Sequence, residues 1–397
     1  MTNSTGVSLE QLMKPLQIYK VVRLLQEQGE FFSAMLGMRP SDTPTIVSDH
    51  ETFGYDIYST TRTMAGVTTQ LAPPINRGLK PVGQNTATLC RSHESISIYE
   101  KKVFASRPLG GPLQKVDATG KAYIRMQIDH LIKMFGNTRE FMASRMLRGG
   151  YSMVAEPDGS YRLAERSDPN ATHVVNFNIP GENYADGDGL IPSGEGWNQA
   201  SAPVHEHFLA LDKKLARTAG FKAKHCILNS STIAPLFNNT VLRNIKGDAM
   251  TIFNTFTRQP MKPEDAQTSA VYTVVFGAIP HIMFHVLNEG LVLDEVIPNE
   301  AQQSSEANFS LFVPDGKAII IPDNPRAWCG HAVGREPVRE ETHKESVVKT
   351  GFAVWRTKEI DPARYDVKVL DNFCPILTHP KAVHFLDVWE AFTSSET

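Results

Sequence analysis

The chain has 397 residues, of which 41% are hydrophobic and 21% charged. That composition excludes a fibrous, disordered or low-complexity protein, and the length predicts two or three packed units. The formal net charge of -3 excludes a polybasic nucleic-acid binder, while leaving room for loose contact with DNA through a local basic face.

No stretch reaches the roughly 18–20 apolar residues that span a bilayer, so no membrane partner is expected. Met1 to Leu9 are polar and carry no secretory pattern. The four cysteines, Cys90, Cys226, Cys329 and Cys374, form no C-x-x-C pair and read as reduced thiols.

Residues 1–66 read as a polar arm in which Leu16 to Gln28 has helical spacing, with Ile18, Val22 and Leu25 on one side. Polar termini fray unless something ties them down, so neighbouring copies are expected to hold the arm. Residues 67–105 carry alternating runs, Val67 to Leu71 and Ser95 to Tyr99, around the turn-rich Pro73 to Gly78. They predict a long hairpin, which is only marginally stable by itself. Ile124, Ile128, Leu131, Phe135, Met142 and Met146 then follow a 3.6-residue period between Asp117 and Gly149-Gly150. This predicts a rod of about 45 Å that buries one stripe and leaves its other face free for a partner.

Tyr151 to Val154 and Tyr161 to Leu163 flank the turn Glu156 to Gly159 as a hairpin, and His173 to Ile179 is a further strand. Asn183 to Gly196 is a Gly/Asp loop, and Pro203 to Thr218 a helix stopped by Gly220. Strands are predicted at Cys226 to Leu228, Val271 to Phe276, Ile282 to Val286 and Ala318 to Ile321, with one helix from Ser231 to Asn244. The charged run Arg335 to Glu341 reads as a solvated loop, with a subunit contact as the alternative. Phe352 to Trp355, Asp366 to Leu370 and Ala382 to Val388 close the chain, and no internal repeat is found.

Chemistry is sparsely marked. His205 and His207 stand at i and i+2, but they open a helix and diverge by roughly 200°, and no third ligand is set by spacing. Asp186-Gly187-Asp188-Gly189 resembles half a calcium loop, yet Leu190 takes the next alternate position. Thr119-Gly120-Lys121 lacks the hydroxyl residue of a phosphate loop. Cys329, near Trp328 and His331, has no base placed by spacing. His281 and His285 flank an apolar strand and read as structural histidines. The expectation is therefore no enzyme, no catalytic residue, no cofactor and no metal site. A metal or thiol enzyme on His205, His207 or Cys329 stays as the weaker alternative.

The order of elements is the informative feature: arm, hairpin, long helix ending in Leu147-Arg148-Gly149-Gly150-Tyr151-Ser152-Met153, strands, and a mixed α/β unit. Ile321-Pro322-Asp323-Asn324 follows, and then Pro375-Ile376-Leu377-Thr378-His379-Pro380-Lys381-Ala382-Val383, one residue shorter between Leu377 and Pro380 than the pattern it is similar to. From about residue 60 to 390 this resembles the major capsid proteins of tailed bacteriophages, most closely the lambda-type (capsid protein E) family.

The resemblance implies an α+β chain with the tailed-phage major capsid fold of the Hong Kong phage type. Its parts would be an N-terminal arm (1–66), an extended loop (67–105), a peripheral domain with a long spine helix (106–217, with 351–397 returning to it) and an axial domain (218–350). It implies a homo-oligomer of pentamers and hexamers that forms an icosahedral shell around double-stranded DNA, assembled in the host bacterial cytoplasm and present in the virion. Scaffolding and portal proteins would be partners, with a decoration protein as a further one and non-specific contact with the packaged DNA. An encapsulin-like cellular compartment is the alternative. Some members crosslink a lysine to an asparagine; Lys80, Lys101 and Lys102 offer amines here, with no activating glutamate marked. The first residues are expected to be kept rather than cut away.

Overall fold

A computed structural model describes residues 31–58, 83–99, 118–157, 161–185, 189–246, 250–262, 271–292, 309–338, 346–359 and 364–389. The expected helix at 16–28, the strand at 67–71 with its turn, the loop residues Asp186 to Asp188, and Lys80, Lys101 and Lys102 lie outside them.

In chain order the elements are α1 (Phe31–Leu36), β1 (Ile46–Ser48), β2 (Thr52–Ile57), β3 (Gly83–Thr88), β4 (Cys90–Tyr99) and α2 (Ala118–Leu147). Next come β5 (Gly150–Ala155), β6 (Tyr161–Glu165), β7 (His173–Asn176), β8 (Tyr184–Ala185), α3 (Val204–Thr218) and β9 (Ala223–Leu228). Then follow α4 (Ser230–Phe237), α5 (Thr240–Lys246), β10 (Met250–Phe253), β11 (Val271–Phe276), β12 (Met283–Leu287), β13 (Gly290–Val292) and β14 (Phe309–Leu311). The last are β15 (Lys317–Pro322), β16 (Cys329–Val338), β17 (Val347–Thr350), β18 (Ala353–Glu359), β19 (Arg364–Leu377) and β20 (His384–Asp387).

The chain divides into two compact units, and it passes from one to the other near residues 54, 85, 143, 329 and 376. The first unit is built on β19. This strand pairs antiparallel with β18 from Arg364 to Leu370 and, on its other edge, with β4 from Arg364 to Phe373. β16 also lies beside β19 and carries β17 and the parallel β1. The apolar stripe of α2 covers one face of this sheet. Ile124, Ile128 and Ile132, one turn apart, pack on Ile98, Tyr365 and Val367, while Leu131 and Phe135 pack on Val369. Five such side chains at about 1.5–3 kcal/mol each give roughly 10 kcal/mol of gross burial. Val338, Ala353, Trp355 and Leu370 form a second cluster in this unit.

The second unit is built on a seven-stranded mixed sheet in the order β10-β11-β12-β9-β15-β20-β8. Its middle strands are near-continuous apolar runs (Cys226 to Leu228, Phe284 to Leu287, Ala318 to Ile321), all buried, as strands covered on both faces must be. α3 packs against β9, with Trp197, Phe208 and Phe284 in ring contact. A separate three-stranded sheet, β6-β5-β7, holds the expected hairpin in the register Tyr151↔Glu165 to Ala155↔Tyr161.

Several expectations need correction. The helix expected over 231–244 is two helices. Asn229 caps the first by accepting from the Thr232 amide at 2.9 Å, and Pro235 inside it lacks an amide to donate. Asn239 then opens the second by accepting from Leu242 at 2.9 Å. The run at Arg335 is not a loop up to Val338, because Arg335 to Val338 pair with Thr350 to Val347. The strand at His173 ends at Asn176, since Asn178 takes a φ of 53°. α2 is one helix from Ala118 to Leu147. Its C-terminal part has no free face: Arg139 to Leu147 are all buried, because its polar residues there are paired rather than solvated.

Candidate functional site

Among the described residues the best-formed buried polar pairs fasten chain segments to one another. Arg139 and Glu140 are consecutive on α2, and helical geometry turns them about 100° apart. Glu140 receives the start of α1: its Oε1 accepts the Phe32 amide at 2.5 Å, and its Oε2 accepts the Ser33 amide at 2.8 Å and hydroxyl at 2.9 Å. A carboxylate there meets amides that have no partner within the helix, and also the positive end of its dipole. The far end of α1 closes by itself. Gly37 has φ 68° and the Met38 amide donates to Ser33 O at 2.8 Å, the αL closure that only glycine enters without strain.

Arg139 takes the next carbonyl, with Nη1 donating to Met38 O at 2.9 Å. Its Nε and Nη2 donate to the two oxygens of Asp371 at 2.5 and 2.6 Å. The two side chains are 1% and 4% exposed, and the guanidinium lies 4.4 Å from the centre of the Phe373 ring. The bidentate form is what makes burial of both ions tolerable.

Residues 45–48 continue the attachment within the same unit. The Thr45 amide donates to His331 O at 2.8 Å, and β1 runs parallel to β16 from Ile46↔Ala332. Gly330 is required beneath Thr45, whose hydroxyl occupies the position that a Cβ would take. Burial, and then the charge of Arg139, push the His331 imidazole down to about 4. β4 is fastened to β16 by Arg91, which grips both oxygens of Glu336 at 2.8 and 2.5 Å, while Asn372 donates to the same carboxylate at 3.0 Å. These bonds raise the Arg91 pKa and lower that of Glu336.

In the second unit Gly149 and Gly150, with φ of 97° and 151°, end α2. A Cβ on Gly150 would overlap the Val175 carbonyl oxygen, and one on Gly149 would overlap the Tyr184 hydroxyl. Arg145 and Arg148 at this helix end share Glu165, at 2.5 and 3.5 Å. Burial is the main cause that lowers both guanidinium pKa values, Arg145 to about 10.

The sequence-marked residues are dispersed. His205 and His207 diverge as helical spacing requires. The buried His207 receives the Trp197 indole N–H at 3.2 Å and meets Glu195 at 3.1 Å, while His205 lies 3.8 Å from Glu206. His281 lies 3.3 Å from Asp212. His285 bonds Thr273 at 2.9 Å and His225 at 2.9 Å, and His225 in turn faces Asp323 at 3.7 Å. Cys329 is buried, and burial drives its thiol pKa far up, the opposite of an activated nucleophile. Cys90 is pushed up to about 12 by the same cause. Among the described residues no group of three or more His, Cys, Asp or Glu is placed to hold a metal ion.

Sequence reasoning missed Arg139, Glu140 and Asp371. The one available signal was a charged pair set between Phe135 and Phe141, where the apolar period of α2 predicts contact on both sides.

No family model matches the chain, and no curated protein matches it. Among solved structures the chain is similar to the putative capsid protein of a prophage of E. coli CFT073, at 11% identity over 97% of this chain and 100% of that one, with a TM-score of 0.50. It is also similar to a phage-related protein from Bordetella bronchiseptica RB50, at 8% identity over 97% and 98% of the two chains, with a TM-score of 0.47. A virus-like particle from Pyrococcus furiosus is similar at 10% identity over 94% and 98%, with a TM-score of 0.41. With its mixed helix and sheet order, this chain has the fold of the phage capsid proteins.

Proposed function

We propose that this chain is a major capsid subunit of the lambda-type family, which self-assembles into pentamers and hexamers of an icosahedral shell enclosing double-stranded DNA. The reading is supported above all by the likeness of the whole chain, end to end, to a prophage capsid protein. The placement of polar chemistry agrees with it. The best-formed buried ions fasten a strand and a short helix to the sheet around β19 instead of facing a shared cleft.

Within this reading residues 1–66 are the arm, 67–105 the extended loop, 106–217 with 351–397 the peripheral domain, and 218–350 the axial domain. The subunit has no catalytic role, assembles in the host cytoplasm with scaffolding and portal proteins, and remains in the virion. A stable subunit interface of this kind buries more than about 2,000 Å². Many such contacts per copy make the shell strong although each one is weak.

The test is size-exclusion chromatography of the purified chain with negative-stain microscopy. Closed icosahedral particles, or five- and six-membered rings, are expected. A small discrete oligomer that never forms rings under any assembly condition would refute the proposal. Particles filled with a cargo enzyme instead of DNA would reassign the same fold to a cellular compartment.

A further inference from the structure

The chain carries a net -3, yet residues 212–224 hold five cations, Lys213, Lys214, Arg217, Lys222 and Lys224, against the single acid Asp212. The fold gathers most of them at one corner of the second unit. Asp212 Oδ1 accepts the Ala223 amide at 2.8 Å, which sets the start of β9, with Lys222 and Lys224 on either side of Ala223, beside the Lys213 turn of α3. Arg217 follows Lys213 by one helical turn, about 6 Å along the axis.

Arg258 is brought to the same corner by the turn after β10, where its φ of 55° and its amide bond to Asn254 O at 2.8 Å fix the backbone. The same turn is tied toward His225, the neighbour of Lys224, by a chain of hydrogen bonds from Thr255 to Thr273 at 2.8 Å, Thr273 to His285 at 2.9 Å and His285 to His225 at 2.9 Å. Lys213, Arg217, Lys222 and Arg258 are exposed and Lys224 is half-buried. Lys214 is occupied otherwise, donating to Glu182 O at 2.8 Å. The two acids of the corner are engaged by histidines, Asp212 by His281 at 3.3 Å and Asp323 by His225 at 3.7 Å. Among the described residues no carboxylate comes within ion-pair range of the five remaining cations.

We propose that Lys213, Arg217, Lys222, Lys224 and Arg258 form a docking surface for the phosphate backbone of duplex DNA, bound without regard to sequence. This rests on the capsid reading and names the face that would meet packaged DNA. Charge complementarity carries it: fixed cations on a helix and a strand end meet a polyanion with one phosphate per ~3.4 Å of each strand. Among the described residues Phe256 is the one exposed large aromatic beside Arg258. Single-strand binders instead set out several rings for successive bases, which favours the duplex here.

The experiment is fluorescence anisotropy of a labelled 30-base-pair duplex with the full purified chain, at several KCl concentrations. Four to five phosphate contacts predict a log–log salt slope of about -4. Lys213→Gln/Lys222→Gln/Lys224→Gln should reduce the slope to about -1.5 and weaken binding at low salt at least ~10-fold. Arg258→Gln alone should reduce it by about 1. Lys213, Lys222 and Arg258 are exposed and Lys224 is half-buried, and circular dichroism verifies that the variants fold.

An unchanged slope in the triple variant overturns the proposal. So does tighter binding of the single strand, or displacement by polyglutamate as effective as by unlabelled duplex, which would make the corner a surface for an acidic protein. Shell formation is scored on the same samples by microscopy. Shells that form normally while DNA binding is unaffected by the triple substitution remove this surface alone, whereas absence of shells from the wild-type chain removes the capsid reading.

Discussion

Lowering the pH from 7.5 to 5 should destabilise this fold through three buried imidazoles. Burial is the largest cause of the lowered pKa of His285, His331 and His384, which fall to about 3, 4 and 3. His384 is fully buried between strands, and among the described residues neither ring nitrogen has a hydrogen-bond partner. In the unfolded chain each ring returns to a pKa of about 6.5. Because the folded value is depressed, the unfolded state takes up the proton first. The neutral form therefore supports folding fully above about pH 7, and stability falls as pH drops through 6.5 toward the folded values.

At pH 5 the gap is about 1.5 units, or about 2 kcal/mol per ring. His285 and His384 belong to the second unit and His331 to the first, so the losses are about 4 and about 2 kcal/mol. Urea unfolding of the second unit, followed by tryptophan emission in a Trp355→Phe background that removes the reporter of the first unit, should show its midpoint falling by roughly 1.5–2 M. His384→Leu should halve that fall. A midpoint that does not move between pH 7.5 and 5 would refute the claim that these rings are held neutral by burial.

Arg139→Met should cost about 3–5 kcal/mol, because it strands Asp371 in the interior, and Arg139→Met/Asp371→Leu should recover most of that loss; chemical denaturation of the three variants checks the order. Gly150→Ala should lower the melting temperature by several degrees, since its φ of 151° and the Val175 carbonyl both oppose a side chain; scanning calorimetry measures it. His207→Ala should destabilise by about 1–3 kcal/mol through the stranded Trp197 indole, while His205→Ala should stay within about 0.5 kcal/mol. Equal effects of the two would contradict the divergence of the pair on α3.

The elements legible in the sequence were those governed by local rules. The bounds of α2 follow from its apolar period and from Gly149-Gly150, and those of α3 from Pro203 and Gly220. The hairpin of β5 and β6 follows from its turn residues, and the middle strands of the large sheet from their unbroken apolar runs. Elements read wrongly were those in which a side chain several residues away decides the outcome. Pro235 and Asn239 divide one apolar run into α4 and α5, and the charged Arg335 and Glu336 lie in a strand because β17 and Arg91 satisfy them. Short strands such as β1 and β10 carry too few residues to show a period.

By itself the sequence determined the long helix, its stop and the apolar strands. These depend on neighbours within a few residues, where periodicity and φ preferences act directly. Only the tertiary structure decided that Arg139 would meet Asp371, that Glu140 would cap α1, and that Lys213, Lys222 and Arg258 would share one corner. Each joins residues far apart in the chain, and a charge read alone looks solvated. Whether it is buried depends on a partner that folding alone brings within 3 Å.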